Sequence, residues 1–544
     1  MPDYFWYNPS GSANWTGTGG AGRWYPNSGG VGTKYTTVPG PTDNAIFDAA
    51  SGAGVCNFPN AAVGNCLNLY CNGYGAVGPT TTQISGGPNS VLNVYGDIQL
   101  SPNQVFDLKQ TPAVVMTGTA NGSINCNGNT FGDLNVSKTA PASVTLNDDL
   151  IGVGNATLNL VTGTLNANNK NVTFGNFYTG GTATRTLTMG SGTWTLTFEG
   201  ELGGISFNTW QVATTTGLTF NKDTATIRLL HAKNDPSTNN SQTSGLRTAL
   251  TSGATTIDLV DITPFNVTSG LVLIGNEVIA YSGVNTGTRQ LTGLTRGYGG
   301  TTTLASVPAG TAVLGVLLGN STLTANMTSG VSAPISVVDA SLFPPSGVVY
   351  IGTEQIAYAG TNLTTNQLGV TTVGTPTQNH SISDPIYSYQ AKNFYGGGLT
   401  YNDVVFGCFG YKVRNYIYGT NTFSNIKNSQ TGFTWSANSN YYPGFQELAI
   451  EASKTNTIST TLSFNGTSSY LQQVYSQTAG TQTTLSIVPA VGQWNVGTHS
   501  QDGGNNTNIY FVAGAIDYIY WKDIIGLPVG TPPITSTGNF FLVF

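Results

Sequence analysis

Charged side chains are scarce in this sequence. Asp, Glu, Lys and Arg make up 8% of its 544 residues, whereas they make up about 25% of a typical globular protein. The formal net charge is −6, and the Lys and Arg residues form no cluster. A surface that binds the phosphates of a nucleic acid needs such a cluster, so we expect no nucleic-acid partner.

Long apolar runs are also lacking. No stretch approaches the roughly 20 apolar residues that a membrane-spanning helix needs, so we expect no membrane span. The first residues, MPDYFWYNPSGSANW, have neither the basic start nor the apolar core of a secretory signal. We therefore expect a protein that is made in the cytoplasm without a signal peptide and is released by cell lysis.

Residues suited to catalysis or metal binding are few. The three histidines, His231, His380 and His499, have no evident Ser or Asp partner for nucleophilic chemistry. Asp502 is the single carboxylate in a polar turn, which is too few ligands to predict a Ca²⁺ site, and whether Ca²⁺ binds there stays open. We predict no catalytic residue, no cofactor and no metal ligand. The five cysteines are odd in number and follow no metal-binding spacing, so we expect buried free thiols: Cys56, Cys66, Cys71, Cys126 and Cys408.

Glycine and small polar residues dominate what is present. The chain has 71 Gly, with Thr, Asn and Ser at most other polar positions, yet 39% of its residues are hydrophobic and 10% are aromatic. That apolar content offsets the entropy cost of ordering the chain, which argues against disorder. Because Thr, Val, Tyr and Phe favour strands while Gly and Asn favour corners with positive φ, we predict an all-β protein of short strands and tight turns.

Two segments of the sequence are nearly identical: Ile274-Gly-Asn-Glu-Val-Ile-Ala-Tyr281 and Ile351-Gly-Thr-Glu-Gln-Ile-Ala-Tyr358. Such a duplication indicates a small β unit repeated in tandem, which we place at 245–316 and 322–389. We expect both copies to have the same fold and to project from a larger scaffold. Shared apolar positions predict the two cores: Phe265, Ile274, Ile279 and Tyr281 in the first copy, and Phe343, Ile351, Ile356 and Tyr358 in the second.

Glu277 and Glu354 recur at equivalent positions of the two copies. A general acid and base would have to flank one bond, but these carboxylates belong to separate copies. We therefore predict that each one accepts hydrogen bonds from the backbone amides of nearby turns.

Very short alternating strands fill 101–240 and return over 390–530. Pairs such as Leu134-x-Val136 and Val144-x-Leu146 follow one another between Gly and Asn turns, and no segment has a helical period. Strands this short bury a face only when successive coils stack. The pattern predicts a parallel β-solenoid interrupted by the duplicated unit, and a β-sandwich is the alternative.

Both ends of the chain are rich in aromatic residues. Residues 1–100 form a predicted Gly-rich β module in which Trp6, Trp15 and Trp24 fill the core, the alternative being a platform for stacking sugars. Residues 531–544 form a predicted docking tail, because an apolar end is costly in water. Its predicted assembly residues are Phe540, Phe541, Leu542 and Phe544.

Several of these patterns resemble proteins of tailed bacteriophage particles. The resemblance is carried by the Trp-rich opening with Asp43-Asn-Ala-Ile-Phe-Asp48, by the rung Gly128-Asn-Thr-Phe-Gly-Asp-Leu134, and by the Ile-Gly-x-Glu-x-Ile-Ala-Tyr unit. It covers most of the chain as repeats and supplies no catalytic residue. The resemblance implies a right-handed parallel β-helix with inserted small β modules.

We therefore expect a structural or adhesive virion protein on the particle surface, such as a tail fibre or a receptor-binding appendage that contacts host surface carbohydrate. A capsid-surface fibre or decoration protein is one alternative. A β-helical polysaccharide depolymerase is another, although its carboxylates would be clustered, whereas the 24 acidic residues here are thinly spread. The expected partners are other virion proteins and further copies of this chain, with a homotrimer favoured because the ends of a solenoid need capping.

Overall fold

The computed structural model of the chain describes residues 1–16, 23–74, 82–102, 105–107, 114–198, 208–230, 242–265, 268–316, 319–344, 346–352, 354–407, 412–427, 446–463, 472–487, 494–495, 500–502, 506, 509–510, 519–522 and 524–528. These residues form strands and turns, which confirms the all-β prediction. Within the described ranges the only helical segments are short 3₁₀ turns: Ser28–Gly30, Thr263–Phe265, Tyr298–Gly300 and Ala340–Leu342.

Strands β1 to β25 precede the duplicated segments: β1 (Asp3–Trp6), β2 (Ser12–Asn14), β3 (Trp24–Tyr25), β4 (Asn44–Asp48), β5 (Val55–Phe58), β6 (Val63–Cys66), β7 (Leu69–Asn72), β8 (Thr82–Gly86), β9 (Val91–Val94), β10 (Ile98–Gln99), β11 (Val105–Asp107), β12 (Val114–Gly118), β13 (Gly122–Asn125), β14 (Thr130–Phe131), β15 (Leu134–Lys138), β16 (Ser143–Leu146), β17 (Leu150–Gly152), β18 (Thr157–Asn166), β19 (Val172–Phe174), β20 (Asn176–Thr179), β21 (Arg185–Thr188), β22 (Thr193–Leu196), β23 (Trp210–Val212), β24 (Leu218–Asn221) and β25 (Thr226–Leu229).

Strands β26 to β40 lie in the duplicated segments: β26 (Thr243–Gly245), β27 (Leu250–Thr251), β28 (Thr256–Asp258), β29 (Gly270–Ile274), β30 (Glu277–Tyr281), β31 (Gly283–Asn285), β32 (Gln290–Thr292), β33 (Ser306–Val307), β34 (Ala312–Val316), β35 (Asn320–Thr322), β36 (Ile335–Ser336), β37 (Ser346–Ile351), β38 (Glu354–Asn362), β39 (Gln367–Val373) and β40 (Pro385–Tyr395). The remaining strands follow them: β41 (Thr400–Phe406), β42 (Lys412–Tyr418), β43 (Thr422–Lys427), β44 (Gln446–Ile450), β45 (Thr455–Ser463), β46 (Gln472–Ser476), β47 (Thr483–Ile487), β48 (Trp494–Asn495), β49 (Ser500–Asp502), β50 (Ile509–Tyr510), β51 (Ile519–Lys522) and β52 (Ile524–Pro528).

The chain divides into two compact units. The first comprises Met1–Thr197, Gln211–Ile227 and Pro236–Gly315, and the second comprises Phe198–Trp210, Arg228–Asp235 and Val316–Phe544. The first duplicated copy therefore belongs to the first unit, and the second copy belongs to the second unit.

Parallel ladders dominate the first unit. Strands β4, β7, β10, β13, β16, β18, β21 and β24 pair in this order, each parallel to the next. The register places Val144 beside Leu165 and Leu165 beside Leu187, and all three side chains are fully buried. Each strand of the ladder thus places its apolar residues beside apolar residues of the next strand. This register builds a continuous apolar core from strands that are too short to bury a face alone.

Asparagine forms several corners between these strands, as the sequence predicted. A left-handed backbone is unfavourable for most residues, and Asn tolerates it because its short amide bonds locally. Three asparagines that lie between strands adopt positive φ: Asn127 (47°), Asn168 (50°) and Asn169 (62°).

The predicted boundary at residue 100 is not a break in the sheet. Ile98 pairs in parallel with Leu69 on one side and with Ile124 on the other. The N-terminal segment is therefore part of the same ladder, because its Gly-rich turns separate strands of the same alternating kind. Trp6, Trp15 and Trp24 are buried, which confirms that they fill the core.

In the second unit, two further parallel ladders follow the duplicated segments. One joins β40, β42, β44, β46 and β51, and the other joins β41, β43, β45, β47 and β52. Strand β40 also pairs antiparallel with β37 of the second copy. The predicted boundary between residues 389 and 390 thus lies inside a strand, and this copy continues into the ladder instead of projecting from a loop.

Candidate functional site

Strand β42 presents every second side chain on one face of the second unit's sheet. Val413 and Ile417 are buried on the core side. Because side chains alternate along a strand, Arg414, Tyr416 and Tyr418 lie on the opposite face, where each is partly exposed.

Parallel pairing brings residues that are distant in sequence onto this face. Arg414 lies beside Glu447 of β44, and Tyr418 lies beside Tyr395 of β40. Strand β46 adds Tyr475, which pairs in register with Ala449. We call the surface that these side chains form the tyrosine face: Tyr395, Arg414, Tyr416, Tyr418, Glu447 and Tyr475.

Glu447 is the polar centre of the tyrosine face. Glu447 is only 4% exposed. Its Oε2 accepts hydrogen bonds from Arg414 Nε and from the Tyr475 hydroxyl, the latter at 2.8 Å. Arg414 also donates to the Tyr416 hydroxyl at 3.2 Å, and its guanidinium carbon lies 5.9 Å from the ring centroids of Tyr416 and Tyr475. The buried carboxylate is therefore paired and hydrogen-bonded, as a buried charge must be.

The electrostatics of this centre keep the phenol of Tyr475 protonated. Burial, followed by the negative charge of Glu447, raises the pKa of Tyr475. A protonated hydroxyl donates to the carboxylate, and this bond fixes the ring in place.

A stacked ring pair forms the second part of the tyrosine face. The ring centroids of Tyr395 and Tyr418 are 3.9 Å apart and the planes differ by 9°. Burial raises the pKa of both phenols, so both remain neutral donors. Glu451 adjoins the pair and accepts a hydrogen bond from the backbone amide of Gly419 at 2.6 Å.

Glu447 is already bonded to Arg414 and Tyr475. Its carboxylate therefore holds the guanidinium group and a ring of the tyrosine face in place.

The carboxylate of Glu277 bonds turn amides, which confirms its predicted structural role. It accepts from the amides of Gly297 and Leu304, each at 2.9 Å, and Arg296 binds both of its oxygens at 2.7 Å. Burial acts to raise the pKa of Glu277, but the hydrogen bonds from these three residues outweigh it and lower the pKa.

Glu354 occupies the same place in the second copy, with a histidine where the first copy has Arg296. It accepts from the backbone amides of Thr377 and Gln378 and lies 2.6 Å from His380 Nε2. Hydrogen bonds from these residues outweigh burial and lower the pKa of Glu354 to about 2. His380 thus packs against a carboxylate as part of the fold.

The predicted repeat-core residues lie in two separate apolar clusters. Each of these predicted residues is at most 4% exposed. The first cluster contains Phe265, Ile274, Ile279 and Tyr281, and the second contains Phe343, Ile351, Ile356 and Tyr358.

The remaining positions that the sequence analysis named either lie in strands or in the buried core, or fall outside the described residues. Asp502 ends strand β49 and pairs with Trp521. The described cysteines, Cys56, Cys66, Cys71 and Cys126, are buried and are not in disulfides, and burial raises the thiol pKa of Cys56, Cys66 and Cys126. Outside the described residues lie the following: His231, Cys408, His499, Phe540, Phe541, Leu542 and Phe544.

The described residues contain no group of three or more His, Cys, Asp or Glu side chains that could hold a metal ion. They also contain no helix long and apolar enough to cross a membrane.

The sequence pattern did not predict the tyrosine face. A signal exists in the recurring Tyr-x-Tyr pairs at 387–389, 416–418 and 518–520, but such pairs also fit ordinary strand alternation. Comparisons of the chain with protein-family models, curated proteins and solved structures found no match.

Proposed function

We propose that the parallel ladders of each unit belong to a right-handed parallel β-helix into which the duplicated copies are inserted. Support comes from the order of pairing, since each strand of a ladder lies beside the strand one coil further along the chain. Connections between parallel strands are right-handed in nearly all known cases. The repeated stacking of Val144, Leu165 and Leu187 is the packing that such a coil requires.

We further propose that the chain is a structural and adhesive protein of the virion surface of a tailed bacteriophage. In this proposal it forms a tail fibre or a receptor-binding appendage that contacts host surface glycans. A capsid-surface fibre or decoration protein would use the same scaffold and remains the alternative. The proposed role is binding without cleavage, and a polysaccharide depolymerase is the less favoured candidate.

The observation that carries this proposal is the side-chain stacking that locks successive coils together. Asn44 donates to Asp3 and Asn68 donates to Asn44, each at 2.8 Å. The Asn68 side chain then accepts from the Asp97 amide at 2.6 Å, and Asp97 accepts from the Ser123 amide at 2.8 Å. Such hydrogen-bonded stacks of Asn and Asp side chains stiffen a scaffold with few charged residues. Hydrogen bonds between neighbouring coils are less sensitive to salt than exposed ion pairs, which suits a protein exposed to variable salt outside the cell.

Particle association tests this function. Purified particles from a producing culture, banded on a density gradient, should contain the chain in a fixed ratio to the major capsid protein. If the chain stayed in the soluble fraction while particles lacked it, the proposed function would be wrong.

The proposed assembly is a homotrimer that docks on other virion proteins through the C-terminal tail. Light scattering of the purified chain should give three times its mass of 56.7 kDa. Removing 539–544 should reduce assembly more than it reduces the melting temperature. A full-length monomer, or a truncated chain that still joined particles normally, would contradict this proposal.

A further inference from the structure

We propose that the tyrosine face binds a neutral, hydroxyl-rich oligosaccharide. This inference rests on the function proposed above and adds the place of the ligand site and the charge class of the ligand. The site would comprise the stacked pair of Tyr395 and Tyr418 together with Tyr416 and Tyr475.

The four rings of the tyrosine face are exposed enough to contact a ligand. Tyr416, Tyr418, Tyr395 and Tyr475 are all partly exposed, and each is held by a neighbour in the sheet. An aromatic ring has a negative face that attracts the polarised C–H groups of a sugar, and its rigidity limits the entropy lost on binding. A set of preordered rings is therefore suited to a ligand with alternating C–H and hydroxyl surfaces.

Polar side chains that can form hydrogen bonds lie among the rings in the same register, because Asn393 pairs with Tyr416 and Gln473 pairs with Glu447. Both residues are partly exposed. The amide of Gln473 can donate and accept, as the hydroxyls of a sugar also do, so it can orient a neutral ligand on the rings. The Oδ1 atom of Asn393 is buried, so this residue would offer its NH₂ group as a donor.

Most of the charge at and beside the tyrosine face is paired. Arg414 is bound to Glu447, and Lys454 lies 3.8 Å from Glu451, which adjoins the stacked rings. Lys522, which pairs in register with Tyr475, is a further cation, but the whole chain carries a net charge of −6. An anionic glycan would therefore gain little from such a surface, whereas a neutral glycan does not disturb the pairs.

A second copy of the chain is a less suitable occupant of this face. The fully buried centre of a protein interface is depleted in charged residues. Covering this face with protein would remove Arg414, Glu451 and Lys454 from water, and burying charges in this way is unfavourable.

Binding of the full-length chain to immobilised dextran, mannan and alginate tests the proposal. The wild type should bind a neutral polymer, dextran or mannan, at least tenfold more tightly than it binds the acidic polymer alginate. Raising the salt concentration should change this affinity less than twofold. The variant Tyr418→Leu should weaken binding at least tenfold because it removes a ring from the stacked pair, and Tyr418→Phe should retain most of it.

A matched control is Tyr178→Ala, which removes a partly exposed tyrosine from the first unit and should leave binding unchanged. Circular dichroism and hydrogen exchange of β42 would establish that Tyr418→Leu is folded. Lys522, which pairs in register with Tyr475, provides a further test. If the wild type bound alginate at least as tightly as the neutral polymers and Lys522→Gln lost that binding, the ligand would be acidic and the proposal would be wrong.

Three further outcomes would also overturn it: no binding to either neutral polymer, equal binding by Tyr418→Leu and wild type, or dissociation of the oligomer by Tyr418→Leu. The last outcome would assign the face to a contact between copies. The proposed virion role is tested separately, because particle association does not depend on the glycan.

Discussion

Replacing Glu277 with Gln should destabilise the first duplicated copy locally. In the wild type, the amides of Gly297 and Leu304 each donate to a different oxygen of Glu277. The substitution keeps the size of the side chain but leaves a single acceptor oxygen for these two amides. It also leaves Arg296 without the carboxylate charge that its two donors bind. An unpaired buried donor costs about 1 to 3 kcal/mol and breaking a buried ion pair about 3 to 5 kcal/mol.

Because the substituted side chain would retain one amide bond and Arg296 is partly exposed, we expect a loss of about 2 to 3 kcal/mol, below the full cost of breaking a buried pair. Hydrogen exchange of the intact chain measures this loss directly. Amides of β29 and β30 should lose protection by roughly 30- to 150-fold, since about 1.4 kcal/mol corresponds to a factor of ten. Amides of β37 and β38 in the second copy should not change.

The matched control is Thr286→Ala, which alters an exposed turn residue of the same copy and should leave protection unchanged. Unchanged protection in Glu277→Gln would refute the structural role of this carboxylate. Equal loss in both copies would refute the view that each copy has its own core.

Three further predictions concern stability. Phe343→Ala should cost about 3 to 5 kcal/mol in the second copy, because a large buried ring leaves a cavity, and exchange of β37 and β38 would measure it. The pKa of Glu354 is lowered to about 2. The stability that this carboxylate gives to the second copy should therefore be complete above about pH 4.5 and disappear as the pH falls toward 2. Hydrogen exchange of Glu354→Gln should lack this pH dependence. Burial lowers the pKa of Lys138 to about 8, so between about pH 8 and 10.5 the unfolded chain holds the proton more tightly than the folded chain does. The wild type should therefore gain stability relative to Lys138→Met as the pH rises through this range. A difference in melting temperature between the two proteins that stayed constant over this range would contradict the prediction.

The strand content could be predicted from the sequence because alternation is a local property. Pairs such as Val144-x-Leu146 have period two, and each lies in a strand. The extent of the sheets was less predictable. Strand β40 runs from Pro385 to Tyr395 through the predicted boundary, and the stretch from Ile386 to Lys392 contains no Gly, Pro or Asn that would mark a turn.

The candidate site depends on register, which the sequence does not state. Arg414 and Glu447 are 33 residues apart and meet only because β42 and β44 pair in parallel. By contrast, the roles of Glu277 and Glu354 were predictable, because duplication placed one carboxylate in each copy. The partner of each carboxylate, Arg296 in one copy and His380 in the other, was not predictable because the two copies diverge after the shared segment.

The most direct test of the proposed virion role is to locate the chain on particles by electron microscopy. Antibody fragments raised against the purified chain would be added to particles from a producing culture. Label should appear at a fixed position on the outer surface, and label at the tail would favour a fibre or appendage over a head decoration. Unlabelled particles in a preparation where the antibody binds only free protein would contradict the proposed virion role.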